Sequence, residues 1–403
     1  MAKVKEKKPL EKKNWVQNFI LIGKACISDY TFKLDEHSEK SDWIYNVMNL
    51  NVDCGKKYGR ISCELNGGYG AGRDNVCYVH GKKDDNTDDF DNRYTLDWDD
   101  RFKEEYLKDI GDLCFINIGI EKDTKGNTVV SKFLQPYDAV KYLSDYLTDD
   151  MEIKVRGQLR YSEYQGNIQV KKTINSIYLK KDDEKYMAAF TQTLLIDKYS
   201  VGKPDKDKCV FPITGCVLEK FKEYNGNDLT EGGKVKGGKF VPLRKGFEYE
   251  YDPSADPERI KKGVTLAFKA KKGYSQITYE GVFVEGGAVV QATEADLTDE
   301  IKELITAGLY NLDEALAKCT ENKGKERRMI IKRPLIKMVG EEGSKVPQVQ
   351  VTEQKYSEED LQLDYLVAHE DEDEDIEEDV DVEDQDEMSD EDEDEDWMAQ
   401  LEM

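Results

Sequence analysis

Apolar and polar residues alternate with period two along much of the first 180 residues, which predicts β-strands. Strands are expected at 19–27, 43–52 and 60–65. In the second, Ile44, Met48, Leu50 and Val52 share one face, while Trp43, Tyr45, Val47, Asn49 and Asn51 share the other. The third sets Ile61, Cys63 and Leu65 against Arg60, Ser62 and Glu64. A Gly-rich loop is expected at 67–72, a polar, Asp-rich insertion at 82–100 and another strand at 113–120. The period then changes: Val140, Leu143 and Leu147 recur at helical spacing, predicting a short amphipathic helix over 137–147. Two further strands follow. Ile153, Val155 and Leu159 point one way and Lys154, Arg156, Gln158 and Arg160 the other. After a turn at 164–167, the last strand spans 168–179.

Three strands, inserted material, a helix and a closing hairpin is the connectivity of a five-stranded oligonucleotide-binding (OB) barrel, whose helix lies between the third and fourth strands. The stretch 151–179 resembles the closing hairpin of such barrels, with Gly157 suited to a sharp corner. The second region repeats the outline loosely. Strands are expected at 190–199, 209–224 and 239–251, and a hairpin pairs 264–270 with 275–284 around 271–274. A helix starts near Thr298, with Ile301, Leu304 and Ile305 on one face, and a second occupies 311–319. A basic strand at 327–339 carries Pro334, which suits an edge. The expected fold class is mainly β: OB barrels, one clear and one diverged, with short helices and a disordered acidic C-terminal tail. The expected boundaries are a basic arm at 1–14, an OB domain at 15–184 and a second β-rich domain at 185–339 with its helical segment at 298–319. A linker at 340–369 and the tail at 370–403 complete the chain.

Charge alters this picture in one respect. The 403 residues carry 85 Asp and Glu against 59 Lys and Arg, a net charge of −26. Residues 370–403 hold 22 of those carboxylates and no Lys or Arg. Without them, 63 acidic residues face 59 basic ones, and the body is −4. The low overall pI therefore does not oppose a nucleic-acid partner. Like-charge blocks of this length stay solvated and serve as interaction tails. The tail ends in Trp397, Met398, Leu401 and Met403, and an exposed Trp at the end of a polyanion has no structural role. No apolar run reaches the length of a membrane span. The basic N-terminus lacks an apolar signal region, so the expectation is a cytoplasmic protein.

Catalytic chemistry is hard to place. The histidines are His37, His80 and His369, and no G-x-S-x-G, P-loop or H-E-x-x-H pattern occurs. Gly68, Gly70 and Gly72 lack the strand–helix context of a dinucleotide loop. Cys54, Cys63, Cys77 and His80, spaced C-x8-C-x13-C-x2-H, form a secondary candidate for structural zinc. Buried thiols are the stronger reading, because Cys63 falls on an inward face and no C-x-x-C pair is present. The expectation is a non-enzyme without a cofactor.

Single-stranded nucleic acid needs cations along its phosphates and flat side chains against its bases. Trp43 and Tyr45 lie on the outer face of the second strand, and Lys24 on the first. Lys56, Lys57, Tyr58 and Arg60 lead into the third, and Tyr69 and Arg73 flank the glycines. Lys154, Arg156, Arg160, Tyr161 and Tyr164 occupy the closing hairpin, with Lys171 and Lys172 opposite. Taken singly, each is an ordinary solvated residue. Taken as a set placed at an OB groove, they favour binding.

A barrel followed by an acidic tail with an apolar tip resembles single-stranded DNA-binding proteins of bacteria and their phages. Residues 390–396 match the acidic run, and Trp397, Met398 and Leu401 the tip. The resemblance implies sequence-tolerant binding of single-stranded DNA in replication and recombination. It also implies a tail that competes with DNA for the groove and recruits partner proteins. The sequence departs from the family in ending with Met rather than Phe and in its larger body, which looks more like a phage replication protein. The competing expectations are an acidic chaperone or DNA mimic that binds basic proteins, and a viral assembly protein.

Overall fold

The computed structural model describes residues 7–164, 166–235, 237–290, 297–312, 315–316, 321–341 and 343–366. The acidic tail, with Trp397, Met398 and Leu401, lies outside the described residues.

The first half holds ten strands: β1 Gln17–Cys26, β2 Phe32–His37, β3 Trp43–Asp53, β4 Arg60–Gly70, β5 Val76–Lys82, β6 Asp88–Asp97, β7 Ile116–Lys122, β8 Thr128–Phe133, β9 Glu152–Tyr164 and β10 Asn167–Leu179. Helix α1 is Glu104–Leu107 and α2 is Pro136–Tyr146. Five of these strands close a ring. β1 pairs antiparallel with β3, β3 with β4, β10 with β9 and β9 with β1, while β4 and β10 meet in parallel at Glu64 and Thr173. This is the expected OB order, and α2 sits between the third and fourth ring strands. Pro136 at its first turn and the buried stripe Ala139, Val140 and Leu143 explain why it forms and which face it packs against the barrel.

Two local expectations change. The glycines at 67–70 belong to β4 rather than to a loop. A Cβ on Gly67 would stand 2.8 Å from Pro136, so glycine is needed for close approach of α2 and not for looseness. The segment 82–100 is not irregular either: β5 and β6 form a hairpin with its own small core of Cys77, Val79, Leu96, Ile110 and Phe115.

The second half contains β11 Met187–Ile196, β12 Val210–Phe221, β13 Glu223–Tyr224, β14 Asn227–Asp228, β15 Lys239–Glu250, α3 Pro257–Phe268, β16 Tyr274–Val290, α4 Asp299–Thr306, β17 Glu321–Pro334, β18 Lys337–Val339, β19 Val346–Gln348, β20 Gln350–Tyr356 and α5 Glu358–Leu361. It closes a second ring with the same connectivity. β11–β12, β12–β15, β17–β16 and β16–β11 are antiparallel, and β15–β17 is parallel. The expected hairpin at 264–284 is wrong in its first arm. Pro257 starts a helix, and Ile260, Val264 and Phe268 recur every four residues on its inner face. That helix again stands between the third and fourth ring strands. In α4, Thr298 occupies the N-cap position without a side-chain capping bond. Part of the expected second helix, residues 313–314 and 317–319, lies outside the described residues.

The two rings match residue for residue at their tightest point. Gly157 pairs with Phe19 in the first barrel, and Gly281 with Phe190 in the second. A Cβ on Gly157 would meet Phe19 at 2.6 Å, and one on Gly281 would meet Phe190 at 2.2 Å. One residue of the fifth strand then bulges out, Asn175 in the first ring and Lys332 in the second. Beside the parallel contact, Glu64 pairs with Lys171 and Glu248 with Arg328. The first strands join the barrels: β1 and β11 run antiparallel, with Phe19 opposite Phe190. One hydrophobic cluster runs through both rings, from Leu50 and Leu159 to Phe247 and Phe283.

The expected linker and basic arm are also partly structured. β20 pairs with β16, and Tyr356 and Leu361 are buried with Leu10 and Tyr274. The Lys8 amide donates to Asp360 at 2.6 Å and Gln276 donates to the Lys13 carbonyl at 2.8 Å. Leu10, Tyr356 and Leu361 stand apart from other apolar runs, and Val349 and Val351 alternate over too short a stretch to mark a strand.

Candidate nucleic-acid interface

β3 and β4 keep an unbroken register from Trp43 opposite Gly70 to Asp53 opposite Arg60. Met48, Leu50, Val52, Ile61, Cys63 and Leu65 fill the barrel, so the alternate positions face outward. The outward rows are Trp43 with Gly70, Tyr45 with Gly68, Val47 with Asn66, Asn49 with Glu64, Asn51 with Ser62 and Asp53 with Arg60. The two aromatic residues are half-buried and stand opposite glycines, and the Arg73 side chain packs over Gly70, where a Cβ would meet its Nε at 2.0 Å. Below them lie amides and a hydroxyl that hydrogen-bond in either sense. From Tyr45 to Asp53 the face extends about 27 Å at ~3.4 Å per residue. The Arg73 guanidinium lies 5.8 Å from the Trp43 ring centroid.

Cations border this face, each loosely matched. Arg60 meets Asp53 at 3.8 Å, Arg73 meets Asp42 at 3.9 Å, Lys24 meets Asp150 at 3.5 Å and Lys171 meets Glu64 at 3.6 Å. Exposed pairs of this kind contribute about 0–1 kcal/mol, so a phosphate can take over the cation at little cost. Lys33, which the sequence reading did not single out, is exposed on β2 opposite Val47. Its only signal was the alternation of 32–37.

The other expected residues do not form one groove with these. Arg156 lies around the barrel on β9, in a 460 Å³ groove with Asn18, Gln158, Asn175 and Thr191. Arg160 is exposed and donates to Gln158 at 3.1 Å, and Tyr164 is exposed near the hairpin tip. Lys56 and Lys57 are exposed in the β3–β4 loop. The Tyr58 carbonyl accepts the Glu285 amide at 2.9 Å, which docks that loop on β16. Tyr69 faces away from the outer rows and packs on Trp98 and Tyr137, with centroids 5.3 and 5.2 Å apart.

Three expectations are corrected. Tyr161 is buried and donates to Gln192 at 2.8 Å, and burial pushes its phenol well above the usual range. Lys172 is buried in an ion pair with Glu285 at 2.5 Å. Lys154 is mostly covered and paired with Glu184. Each has an inward position or a committed partner, so none is free to follow a phosphate backbone.

The zinc candidates do not converge. Cys54 and Cys63 lie in the main core, whereas Cys77 belongs to the β5–β6 hairpin core. Among the described residues no group of three or more His, Cys, Asp or Glu is arranged to hold a metal ion. Burial pushes the Cys54 thiol up to about 12 and raises that of Cys63. His80 instead meets Asp88 at 2.7 Å through Nε2. Cys114 Sγ lies 3.2 Å from Nδ1 of His80 and 3.8 Å from Nε2. Near-equal distances put the sulfur over the ring rather than in its plane, which is not the in-line geometry of a nucleophile and its base.

No protein-family model matches the chain, and no curated protein matches it. Among solved structures it is similar to the single-stranded DNA binding protein from Thermus aquaticus. For the wild-type protein the identity is 8% and the TM-score 0.30, covering 68% of this chain and 86% of that one. A deletion mutant of the same protein gives 8% and 0.31, covering 68% and 88%. The overlap is too loose to transfer anything, and it is the strand pairing of this chain that defines its barrels. No helix among the described residues is long and apolar enough to cross a membrane.

Proposed function

We propose that this chain is a non-enzymatic, sequence-tolerant single-stranded DNA-binding protein whose first barrel binds the strand along the outer face of β3 and β4. The observation that carries this reading is the pairing of Trp43 with Gly70 and of Tyr45 with Gly68 on that face. Half-exposed aromatic rings of this kind stack on any base, because every base has a π-face. Arg60, Arg73, Lys171 and Lys33 border the same face and supply the sequence-independent phosphate contacts.

The tail adds regulation. Its 22 carboxylates imitate a nucleic-acid backbone and compete for the cationic rim. Trp397, Met398 and Leu401 form the handle offered to replication or recombination proteins. These roles rest on the tail's composition. The test is a binding titration of intact protein against protein truncated after residue 369. The truncated form should bind a long single-stranded oligonucleotide more tightly at low salt. Failure of the truncated form to bind would end the proposal.

A further inference from the structure

A second cleft of 570 Å³ runs between the barrels, walled by β3, β4 and β10 on one side and β15, β16 and β17 on the other. Five cations line it, Lys171, Lys172, Lys245, Arg327 and Arg328, against two carboxylates, Glu64 and Glu285. Two of these cations are committed: Lys172 holds Glu285 Oε1 at 2.5 Å, and Arg328 binds Glu248 at 2.6 Å and Glu250 at 3.4 Å. Lys171 meets Glu64 only loosely, at 3.6 Å, and belongs to the rim of the outer face.

Two groups are left over. Lys245 comes from β15 of the second barrel and is partly buried. Desolvation lowers its pKa, and no ion pair or hydrogen bond reaches it among the described residues. Glu285 is 3% exposed, and its Oε2 is buried without a hydrogen-bond partner. Lys172 holds the other oxygen, and Arg327 Nε stands 3.9 Å from Oε2, too far for a hydrogen bond. A desolvated ammonium wants an anion, and a buried carboxylate oxygen wants an N–H or O–H donor. A nucleotide unit brings the anion in its phosphate, whereas Oε2 of Glu285 is closed off from the cleft. The cleft also shares Asn49, Asn51, Ser62 and Glu64 with the outer face of β3 and β4, so a strand lying on that face continues into it.

We infer that the cleft between the barrels is a nucleotide subsite, with phosphate facing Lys245 and Arg327. The inference rests on the single-stranded DNA reading for the source of the nucleotide. It makes the second barrel a part of the binding surface rather than a support.

The experiment uses the full chain as wild type, Lys245→Gln and Lys245→Arg, with thermal melting to confirm that each is folded. Calorimetric titration with inorganic triphosphate should show at least tenfold weaker binding for Lys245→Gln and recovery in Lys245→Arg. With a long single-stranded oligonucleotide, the slope of log affinity against log salt should become shallower by about 0.7 in Lys245→Gln, the value of one lost phosphate contact. Unchanged affinity and slope for both ligands would overturn the subsite. Loss for triphosphate alone would overturn the strand as its occupant, leaving a site for free phosphates. If the wild type fails to bind the oligonucleotide, the DNA reading falls, and the triphosphate arm still decides whether the cleft binds an anion.

Discussion

Trp43 and Tyr45 are worth more to a ligand than to the fold on this account, because their cross-strand partners are glycines. Replacing either by Ala should weaken oligonucleotide binding by about 1–3 kcal/mol, the usual worth of one stacked base, as read by fluorescence anisotropy. Tyr161→Phe is the matched control. It removes a buried hydrogen bond to Gln192 and should cost stability by about 0.5–1.5 kcal/mol while leaving affinity unchanged. Much of this was legible in the sequence. The alternation of β3 placed Trp43, Tyr45, Asn49 and Asn51 outward, where they are. The same rule applied strictly to β9 would have put Tyr161 inward with Leu159, and applied to β10 would have put Lys172 inward with Ile174. Both were grouped instead by chemical type. The partner of Lys172, 113 residues away, could not be read from any local pattern.

Among the elements, the ring glycines are the sharpest repeated feature. A side chain on Gly157 would meet the Thr173 carbonyl at 2.0 Å, and one on Gly281 the Ile330 carbonyl at 2.6 Å, each also striking a Phe ring. Backbone cannot yield cheaply in a paired strand. Gly157→Ala and Gly281→Ala should each destabilise by about 1–3 kcal/mol, the cost of overpacking, measured by urea unfolding. Similar losses for both would bear out the structural equivalence of the barrels. Elements with a strong period were readable: α2 and the β9–β10 hairpin fall where the spacing put them. Helix α3 is not legible from 264–270 alone, because Pro257 and Ile260 set its four-residue register. Strands β2 and β8 are not legible because each has six residues, and in β8 the apolar Val129 and Val130 are adjacent rather than alternating. β20 was missed because it borrows its order from β16.

At the scale of the described residues, two barrels share a sheet, a core and a buried ion pair. Lys172 of the first barrel and Glu285 of the second are 7% and 4% exposed. Lys172→Met should destabilise by about 3–5 kcal/mol by stranding the carboxylate, and Lys172→Met with Glu285→Met should recover most of that loss. Because β1 pairs with β11 and one hydrophobic cluster spans both rings, the loss should appear in a single unfolding transition. At this scale the sequence suggested two barrels in series, but not that their first strands join. Register between distant strands leaves no trace in a single chain. The measurement that bears most directly on the central claim is a titration of the intact protein with a long single-stranded oligonucleotide at several salt concentrations, followed by Trp43 fluorescence. The expected result is quenching on binding, lost in Trp43→Phe, with log affinity falling linearly against log salt by about 0.7 per phosphate contact. Binding without any Trp43-dependent quenching, or no binding at the lowest salt, would contradict it.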